Sequence, residues 1–333
     1  MEKRRVVIIG SGPAGFSAAL YTGRANLNPV VIAGDKLGGQ VALTHEIDNY
    51  LGFPEGLGGA DLVEKMKEHA EKFGAETVFE LVTEVDFRSG SPFTVKTTGE
   101  TYLADTVIVT IGANPRKLNV PGEDEYLSRG VSYCGTCDGF FFRGKDIVVV
   151  GGGDSAVEEA LFLTRFATHV NIIHRRDSLR AGVQLQNRAF HNEKISFTWD
   201  SVVEEVLGEE DGQVTGVRLR NLKTDEITTR STEGVFIFIG HDPNSPVFGD
   251  QLATDDQGYV ITDQRFRTNV DGIFAAGEIQ DPMWRQVATS VGQGAAAGIS
   301  AIQWLEAHED TLQPLDDSAE APVKLNIPAP EAS

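Results

Sequence analysis

Three times along the chain a short apolar run stops at a glycine and gives way to a helical pattern. Val6 to Ile9 runs into Gly10, Ile147 to Val150 into Gly151, and Ile273 to Ala276 into Gly277. Continuous β-branched runs of this length read as strands buried on both faces of a parallel sheet. The helices predicted behind them are Phe16–Arg24, Val157–Phe166 and a glycine- and alanine-rich stretch from Trp284 to about Leu305. Further strands are expected at Pro29–Ile32, Thr106–Ile111, His169–His174 and Gly234–Ile239. Ala60–Phe73 carries Leu62, Met66, Ala70 and Phe73 on one face and predicts an amphipathic helix, with His69 solvated. Thr77–Val85, Phe93–Thr97 and Glu100–Leu103 predict a small antiparallel meander, with a turn at Ser89 to Pro92. Ile195–Asp200, Gly216–Leu222 and Ile227–Arg230 predict further strands, with turns at Asp211-Gly212 and Lys223 to Asp225. Strand, glycine turn, helix, meander and closing strand thus occur twice, a weak internal repeat. The fold class that follows is α/β, with two Rossmann-like three-layer nucleotide-binding domains.

The glycine turns carry the first chemistry. In Gly10-x-Gly12-x-x-Gly15, Gly10 allows the tight turn, Gly12 lets backbone N–H groups approach a pyrophosphate, and Gly15 lets the helix pack on the sheet. The alternative is a tight turn without a ligand. The ribose-binding acid expected after the second strand is missing, because Ala33-Gly34-Asp35 stands there. The loops Gly38-Gly39-Gln40 and Asp48 to Pro54 suit either a larger, extended cofactor or simple connection. The turn from Thr110 to Gly112 would let backbone approach a bound ring system. In the second turn, Gly151-x-Gly153-x-x-Ala156, alanine takes the last position, an accepted variant. The strand after it ends in His174-Arg175-Arg176-Asp177, followed by Arg180. Arginines where an acid would bind a ribose hydroxyl favour a 2′-phosphate, hence NADP over NAD, unless they form only a solvated basic turn.

Charge and cysteine content narrow the class. With 29 basic and 49 acidic residues the net charge is −20, which argues against nucleic acid and anionic membranes as partners. No apolar run is long enough to span a bilayer. The N-terminus leads directly into the first strand, so a cytoplasmic protein without a signal peptide is expected. Of 333 residues, 36 are glycine and two are cysteine. The cysteines stand as Cys134-Gly135-Thr136-Cys137, with Asp138 directly after. A secreted scaffold would carry more cysteines and a zinc site more ligands, so no metal is expected and the pair reads as a redox dithiol. Asp138 is a candidate general acid/base, or else a capping or turn acid.

From about residue 5 to 306 the sequence closely resembles the low-molecular-weight, bacterial- and plant-type thioredoxin reductases. The resemblance rests on the fingerprint at 10–15, Gly38-Gly39-Gln40, the Thr110/Gly112 turn and Cys134-x-x-Cys137-Asp138. It continues through Gly151 to Ala156, His174 to Asp177 with Arg180-Ala181, and Ala276-Gly277 with Arg285-Gln286. It implies an FAD domain of segments 1–116 and 246–333, an inserted NADPH domain at 117–245, and a homodimer. FAD contacts are implied at Gly10, Gly12, Pro13, Ala14, Gly15, Ala33, Gly34, Gly39, Gln40, Asn49, Val82, Thr110 and Gly112, and at Gly277, Glu278, Arg285, Gln286 and Val287. NADPH contacts are implied at Gly151, Gly153, Asp154, Ser155, Ala156, His174, Arg175, Arg176, Arg180, Ile239 and Gly240. Hydride would pass from NADPH to the flavin, which opens a Cys134–Cys137 disulfide; Cys137 faces the flavin and Cys134 attacks a thioredoxin disulfide. Domain rotation about linkers near 115–118 and 243–247 is part of that picture.

Three features depart from the family pattern. Glu278 replaces the usual Asp, and one more methylene must still reach the flavin's ribityl chain. Trp284 is expected to stack on the isoalloxazine or close one of its faces. The segment Arg180-Ala181-Gly182-Val183-Gln184 loses a polar or basic residue common after Arg-Ala, which would weaken NADPH binding. Two other functions compete: a disulfide reductase fed by another donor such as ferredoxin, and a non-enzymatic flavin redox sensor. From about Asp310 the Pro-, Ala- and acid-rich tail is expected to be disordered.

Overall fold

The computed structural model describes residues 1–209 and 212–312. The chain forms two compact units, one of Met1–Asn114 and the chain from Asp242, the other of Pro115–His241. In chain order the first unit begins with β1 (Glu2–Ile9), α1 (Pro13–Arg24), β2 (Val30–Ile32), α2 (Gly59–Glu71), β3 (Glu76–Val78), β4 (Val82–Asp86), β5 (Phe93–Thr97) and β6 (Thr101–Val109). After β7 (Ala113–Pro115) come β8 (Val131–Ser132), α3 (Gly135–Asp138), β9 (Asp146–Val150), α4 (Asp154–Leu163), β10 (His169–Ile173) and α5 (Val183–Phe190). They are followed by β11 (Ile195–Thr198), β12 (Ser201–Gly208), β13 (Val214–Asn221), β14 (Ile227–Ser231) and β15 (Gly234–Ile237). The chain returns through β16 (His241–Pro243), which pairs with β7, to β17 (Ile273–Ala275) and α6 (Val287–His308).

In the first unit the strands are ordered β3-β2-β1-β6-β5-β4, with β17 also on β6. Period-two alternation splits β1 between two cores. Val6 and Ile8 face α1, α2 and α6, packing with Phe16, Val63, Ala297 and Ala301. Val7 and Ile9 face the other way, with Phe87, Phe93, Phe248 and Leu252. The second unit repeats this logic on a β11-β10-β9-β15-β8 sheet. Ile147 and Val149 pack with Ala160 and Leu163 of α4 and Ala189 of α5. Val148 and Val150 pack with Val203, Val206, Val217 and Leu219 of an antiparallel β12-β13-β14 sheet. Both units are thus three-layered, and in each the first strand lies between the strand after the helix and a later closing strand. Ile9 pairs with Ile32 and Val109, as Val150 pairs with Ile173 and Ile237.

The structure corrects several expected boundaries. Glu100–Leu103 and Thr106–Ile111 are not separate strands but the two ends of β6. One edge of β6 pairs with β1 throughout, and the other takes β5 antiparallel at Thr101–Ala104 and β17 parallel at Val107–Val109. The polar Asp105 at mid-strand disguised this continuity; its buried carboxylate accepts from Arg5 Nη1 at 2.6 Å. Thr77–Val85 instead divides into β3, parallel to β2, and β4, antiparallel to β5. Besides the short β7, β8, α3 and β16, two longer elements were not foreseen. The strand β12 holds Glu204 and Glu205 beside Arg218 and Arg220 of β13. The helix α5 buries only Ala189 among its eight residues, leaving little apolar periodicity to read. The expected turn residue Asp211 and the tail beyond Leu312 lie outside the described residues.

The helices α1 and α6 cross with their backbones nearly touching. A Cβ added to Gly294 would stand 2.1 Å from the Ala14 carbonyl oxygen, whereas one on Gly292 would meet nothing within 4 Å. Gly294→Ala must therefore push backbone aside and should cost about 1–3 kcal/mol. Gly292→Ala should be neutral or stabilising by up to about 1 kcal/mol through helix propensity. Urea unfolding of the two variants, side by side, checks the contrast.

Candidate active site

The first glycine turn is closed by backbone on three sides. Gly10 has φ +114°, donates its N–H to Ile32 O at 2.9 Å, and would carry a Cβ 2.5 Å from Thr110 O. A Cβ on Gly15 would lie 2.0 Å from Gly10 O. Thr110 completes the contact, with Oγ1 donating toward the carbonyls of Ile9 and Gly10 at 3.0 Å each. Protein packing alone therefore requires glycine at 10 and 15. Gly12 differs: its φ of −72° suits any residue, and the nearest atom to its Cβ position is Gly38 O at 4.0 Å. Nothing in the protein requires glycine there, and the space beside it at the N-terminus of α1 is open, as approach of an anion would need. Pro13 and Ala14 form the first turn of that helix.

The other residues expected to meet FAD in this unit have local partners of their own. Buried Ser11, which the sequence reading missed, accepts from Gly38 N at 3.0 Å and donates to Ala33 O at 3.3 Å, tying the turn to the 38–40 loop. Ala33 and Gly34 spend their N–H groups on Val78 O and Glu80 O, so backbone continues where the absent ribose acid would stand. Gln40 donates to Asn114 at 2.8 Å, and Asn49 to Gln286 at 3.4 Å. Val82 begins β4 and packs on the core, and Gly112 has φ +71° with open space at its Cβ position. Gly277 has φ +77° and donates to Gln293 Oε1 at 3.0 Å. Gln293 in turn donates to buried Asp281 at 2.6 Å, and Asp281 accepts from the N–H groups of Met283 and Trp284. That bracket sets the path into Arg285, Gln286 and Val287, the last being the first residue of α6. Arg285 has φ +47°, reaches Tyr259 Oη at 3.2 Å, and keeps a buried Nε without a hydrogen-bond partner. Trp284 is exposed. Burial pushes the Glu278 carboxyl up to about 7, against the opposing pull of Arg285.

The second turn repeats the first in its own unit. Gly151 has φ +149°, donates to Ile173 O at 3.1 Å, and is closed by Phe238 O, 2.4 Å from its Cβ position. Gly153, at the N-terminus of α4, has nothing within 4 Å of its Cβ position. The basic loop is tied to this turn. Gly152 O accepts from Arg180 N at 2.7 Å and Ala181 N at 3.2 Å, and Asp154 Oδ1 accepts from Gly182 N at 2.7 Å. Arg175, Arg176 and Arg180 are exposed around it, and Ser155 and Ala156 continue the helix. His174 is buried against Gly152, whose Cβ position lies 2.4 Å from the ring. Its Nε2 has no hydrogen-bond partner, and burial with the three arginines holds its pKa below the usual histidine value. Ile239 and Gly240 follow β15, and Gly240 O accepts from Arg116 N at 2.9 Å. Lys223, also missed by the sequence reading, bridges Asp177 at 3.2 Å and Asp200 at 3.0 Å, steadying the loop's acid away from the arginines.

The two cysteines form a disulfide across the first turn of α3, with Cα atoms 5.3 Å apart. Cys134 caps the helix, its sulfur accepting the Cys137 N–H at 3.1 Å. Ser132 holds the entry, accepting from Cys134 N at 3.0 Å and donating to Cys134 O at 3.2 Å. Asp138 closes the turn, its N–H bonded to Cys134 O at 3.2 Å. Tyr133, just before, donates to the buried Glu123 carboxylate at 2.8 Å, which also accepts from the N–H groups of Leu118 and Asn119. Burial and this carboxylate push the Tyr133 hydroxyl well above the usual phenol range. Phe140 and Phe141, immediately after, are exposed. A reducible disulfide in a half-exposed turn, with an acid on the turn, can exchange with a thiol or dithiol from solution.

A family model described as pyridine nucleotide-disulphide oxidoreductase matches residues 4–294. The chain belongs to this family. Its relatives within it are thioredoxin reductases. That of Streptomyces coelicolor is 47% identical over 94% of this chain and 98% of the relative. A bifunctional thioredoxin reductase/thioredoxin of Mycobacterium leprae is 49% identical over 91% of this chain, which spans 66% of that protein. Among solved structures, the thioredoxin reductase of Streptococcus pyogenes is 46% identical, with a TM-score of 0.87 over 92% of this chain and 99% of that one. Membership implies a flavin and a pyridine nucleotide, and the open positions at Gly12 and Gly153 fit two such groups. Among the described residues no cluster of potential ligands could hold a metal ion. No described helix is long and apolar enough to cross a membrane.

The contrast between closed and open glycines is testable. Gly153→Ala should leave the unfolding free energy within about 0.5 kcal/mol, yet raise the KM for the nicotinamide nucleotide at least tenfold. Gly151→Ala should lose stability as well. Glu278 yields a pH prediction. Between its ordinary value of 4.5 and about 7 the folded chain keeps a proton the unfolded chain has lost. This carboxyl therefore lowers stability as the pH rises through that window and no further above it. In the flavin-free protein, Glu278→Gln should match the parent at pH 4 and exceed it by about 3 kcal/mol at pH 8 in urea titrations.

Proposed function

We propose that this chain is a thioredoxin reductase that takes electrons from NADPH and passes them, by way of FAD and the Cys134–Cys137 disulfide, to the disulfide of a thioredoxin. The observation that carries this reading is a disulfide in a unit that also holds a glycine turn hydrogen-bonded to the loop of the exposed Arg175, Arg176 and Arg180. The M. leprae relative, by its name, joins a thioredoxin to the same enzyme.

Each residue has a part. FAD would be held at the first turn by Gly10, Gly12 and Gly15, with Ala33, Gly39, Gln40, Asn49, Glu278, Arg285 and Gln286 around it. NADPH would sit on Gly151 and Gly153, its 2′-phosphate met by the arginines, whose forked donors suit a phosphate. When bound, the flavin supplies the two-electron relay between nicotinamide and disulfide. Cys134, whose sulfur already accepts an N–H that would stabilise a thiolate, attacks the partner's disulfide. Asp138 exchanges protons with the dithiol. The exposed Phe140 and Phe141 offer apolar surface beside the reacting sulfurs. The same reading makes the enzyme a cytoplasmic homodimer, a reducing compartment being where a lone redox dithiol serves.

NADPH added anaerobically should bleach the flavin absorbance, and added thioredoxin should then turn over. Cys134→Ser should keep the bleaching and abolish the turnover. Arg176→Ala should raise the KM for NADPH about tenfold, as expected for lost charge-assisted hydrogen bonds, and leave that for NADH unchanged. Absence of bleaching by NADPH would sink the proposal and favour another donor; bleaching without turnover in the parent would favour a redox sensor.

A further inference from the structure

The turn that carries the disulfide lies along one stripe of α4. Positions for a Cβ on Gly135 and Gly139 fall on Glu159, Leu163 and Phe166, spaced four and three residues apart as a helix face requires. Leu163 and Phe166 are what such a contact normally uses. Glu159 is not. Its Oε2 is inaccessible to solvent and stands 2.2 Å from the Cβ position of Gly135, with Cδ at 3.2 Å. Gly135 is not in the left-handed region that favours glycine. A side chain at 135, between the two cysteines in sequence, would therefore have to displace this carboxylate.

We propose that Glu159 tunes the Cys134–Cys137 dithiol, acting as a negative neighbour that raises the thiol pKa and favours full protonation on reduction. Reduction breaks the S–S bond with two electrons. One proton leaves a thiol and a thiolate; two protons leave two thiols. A carboxylate against the turn disfavours the thiolate, whereas the Cys137 N–H on the Cys134 sulfur favours it. The balance between them sets the fraction of attacking thiolate and its nucleophilicity. Other charged groups near the turn are Asp138 on the turn itself and Glu123, which is occupied by Tyr133 and backbone N–H groups. Arg143 follows, its guanidinium 4.9 Å from the Phe140 ring centroid. Glu159 is thus a second carboxylate beside Asp138, and Gly135 is the opening that admits it.

The test uses the purified full chain, reduced with dithiothreitol, which supplies both electrons and both protons as it closes to its cyclic disulfide. After removal of the reductant, iodoacetamide alkylation of Cys134 and Cys137 is followed by mass spectrometry from pH 5 to 10. Glu159→Gln should move the alkylation profile to lower pH by about one unit and raise the rate at pH 7 roughly three- to tenfold. Gly135→Ala, which displaces the carboxylate without removing it, should move the profile the same way. It should add nothing in a Glu159→Gln background. Superimposable profiles for the parent and Glu159→Gln overturn the proposal. So does a shift in Gly135→Ala that persists undiminished in that background, since it would then reflect the turn's shape and not the charge. None of these outcomes depends on whether NADPH or thioredoxin is the physiological partner.

Discussion

The constraint on which the first unit depends is the contact of backbone with backbone at Gly10, Gly15 and Thr110. Helix α1 can start directly at the end of β1 only because no Cβ separates Gly15 from the Gly10 carbonyl. That close start brings the helix N-terminus to the edge of the sheet, where Gly12 faces open space. The same contact places Ala14 within reach of α6, and Gly294 lets the two helices cross at backbone distance. One steric requirement therefore shapes the helix layer and the opening at Gly12 together.

The second unit solves the same problem with different atoms. Gly151 is closed by Phe238 O and by the Ala156 side chain, so an alanine can take the third fingerprint position. Its opening is then given a charge the first lacks. Arg180 and Ala181 hydrogen-bond to the Gly152 carbonyl, so the loop with the three arginines is part of the turn and not merely near it. Buried His174 packs against Gly152 beneath it. In a chain of net charge −20 these three arginines make a local patch of positive charge.

The dithiol depends on neither opening for its geometry. It is held by local hydrogen bonds from Ser132 and by its own helical turn, and glycines at 135 and 139 let that turn lie flat on α4. Flatness brings a carboxylate as well as two apolar side chains. A redox centre placed this way takes part of its chemistry from the helix beneath it.

Local chemistry was legible in the sequence because it resides in residue type and spacing. The glycine turns, the lone cysteine pair, the arginines where an acid would select NAD, and the repeated strand–turn–helix unit could all be read directly, and the resemblance they carry leads to the family found. What could not be read involves segments far apart in the chain. Asp105 looked like a break in β6 because its partner, Arg5, lies a hundred positions away. The strand β12 was missed because a register shift between Val203 and Glu205 breaks its apolar alternation, and the helix α5 because it buries a single alanine. A glycine's letter does not say whether backbone or empty space lies beside it, so only the tertiary structure separates Gly10, Gly15 and Gly151 from Gly12 and Gly153. By the same reason it alone sets Glu159 against Gly135, between the two cysteines: through-space neighbours decide where a charge is felt, and sequence order does not encode them.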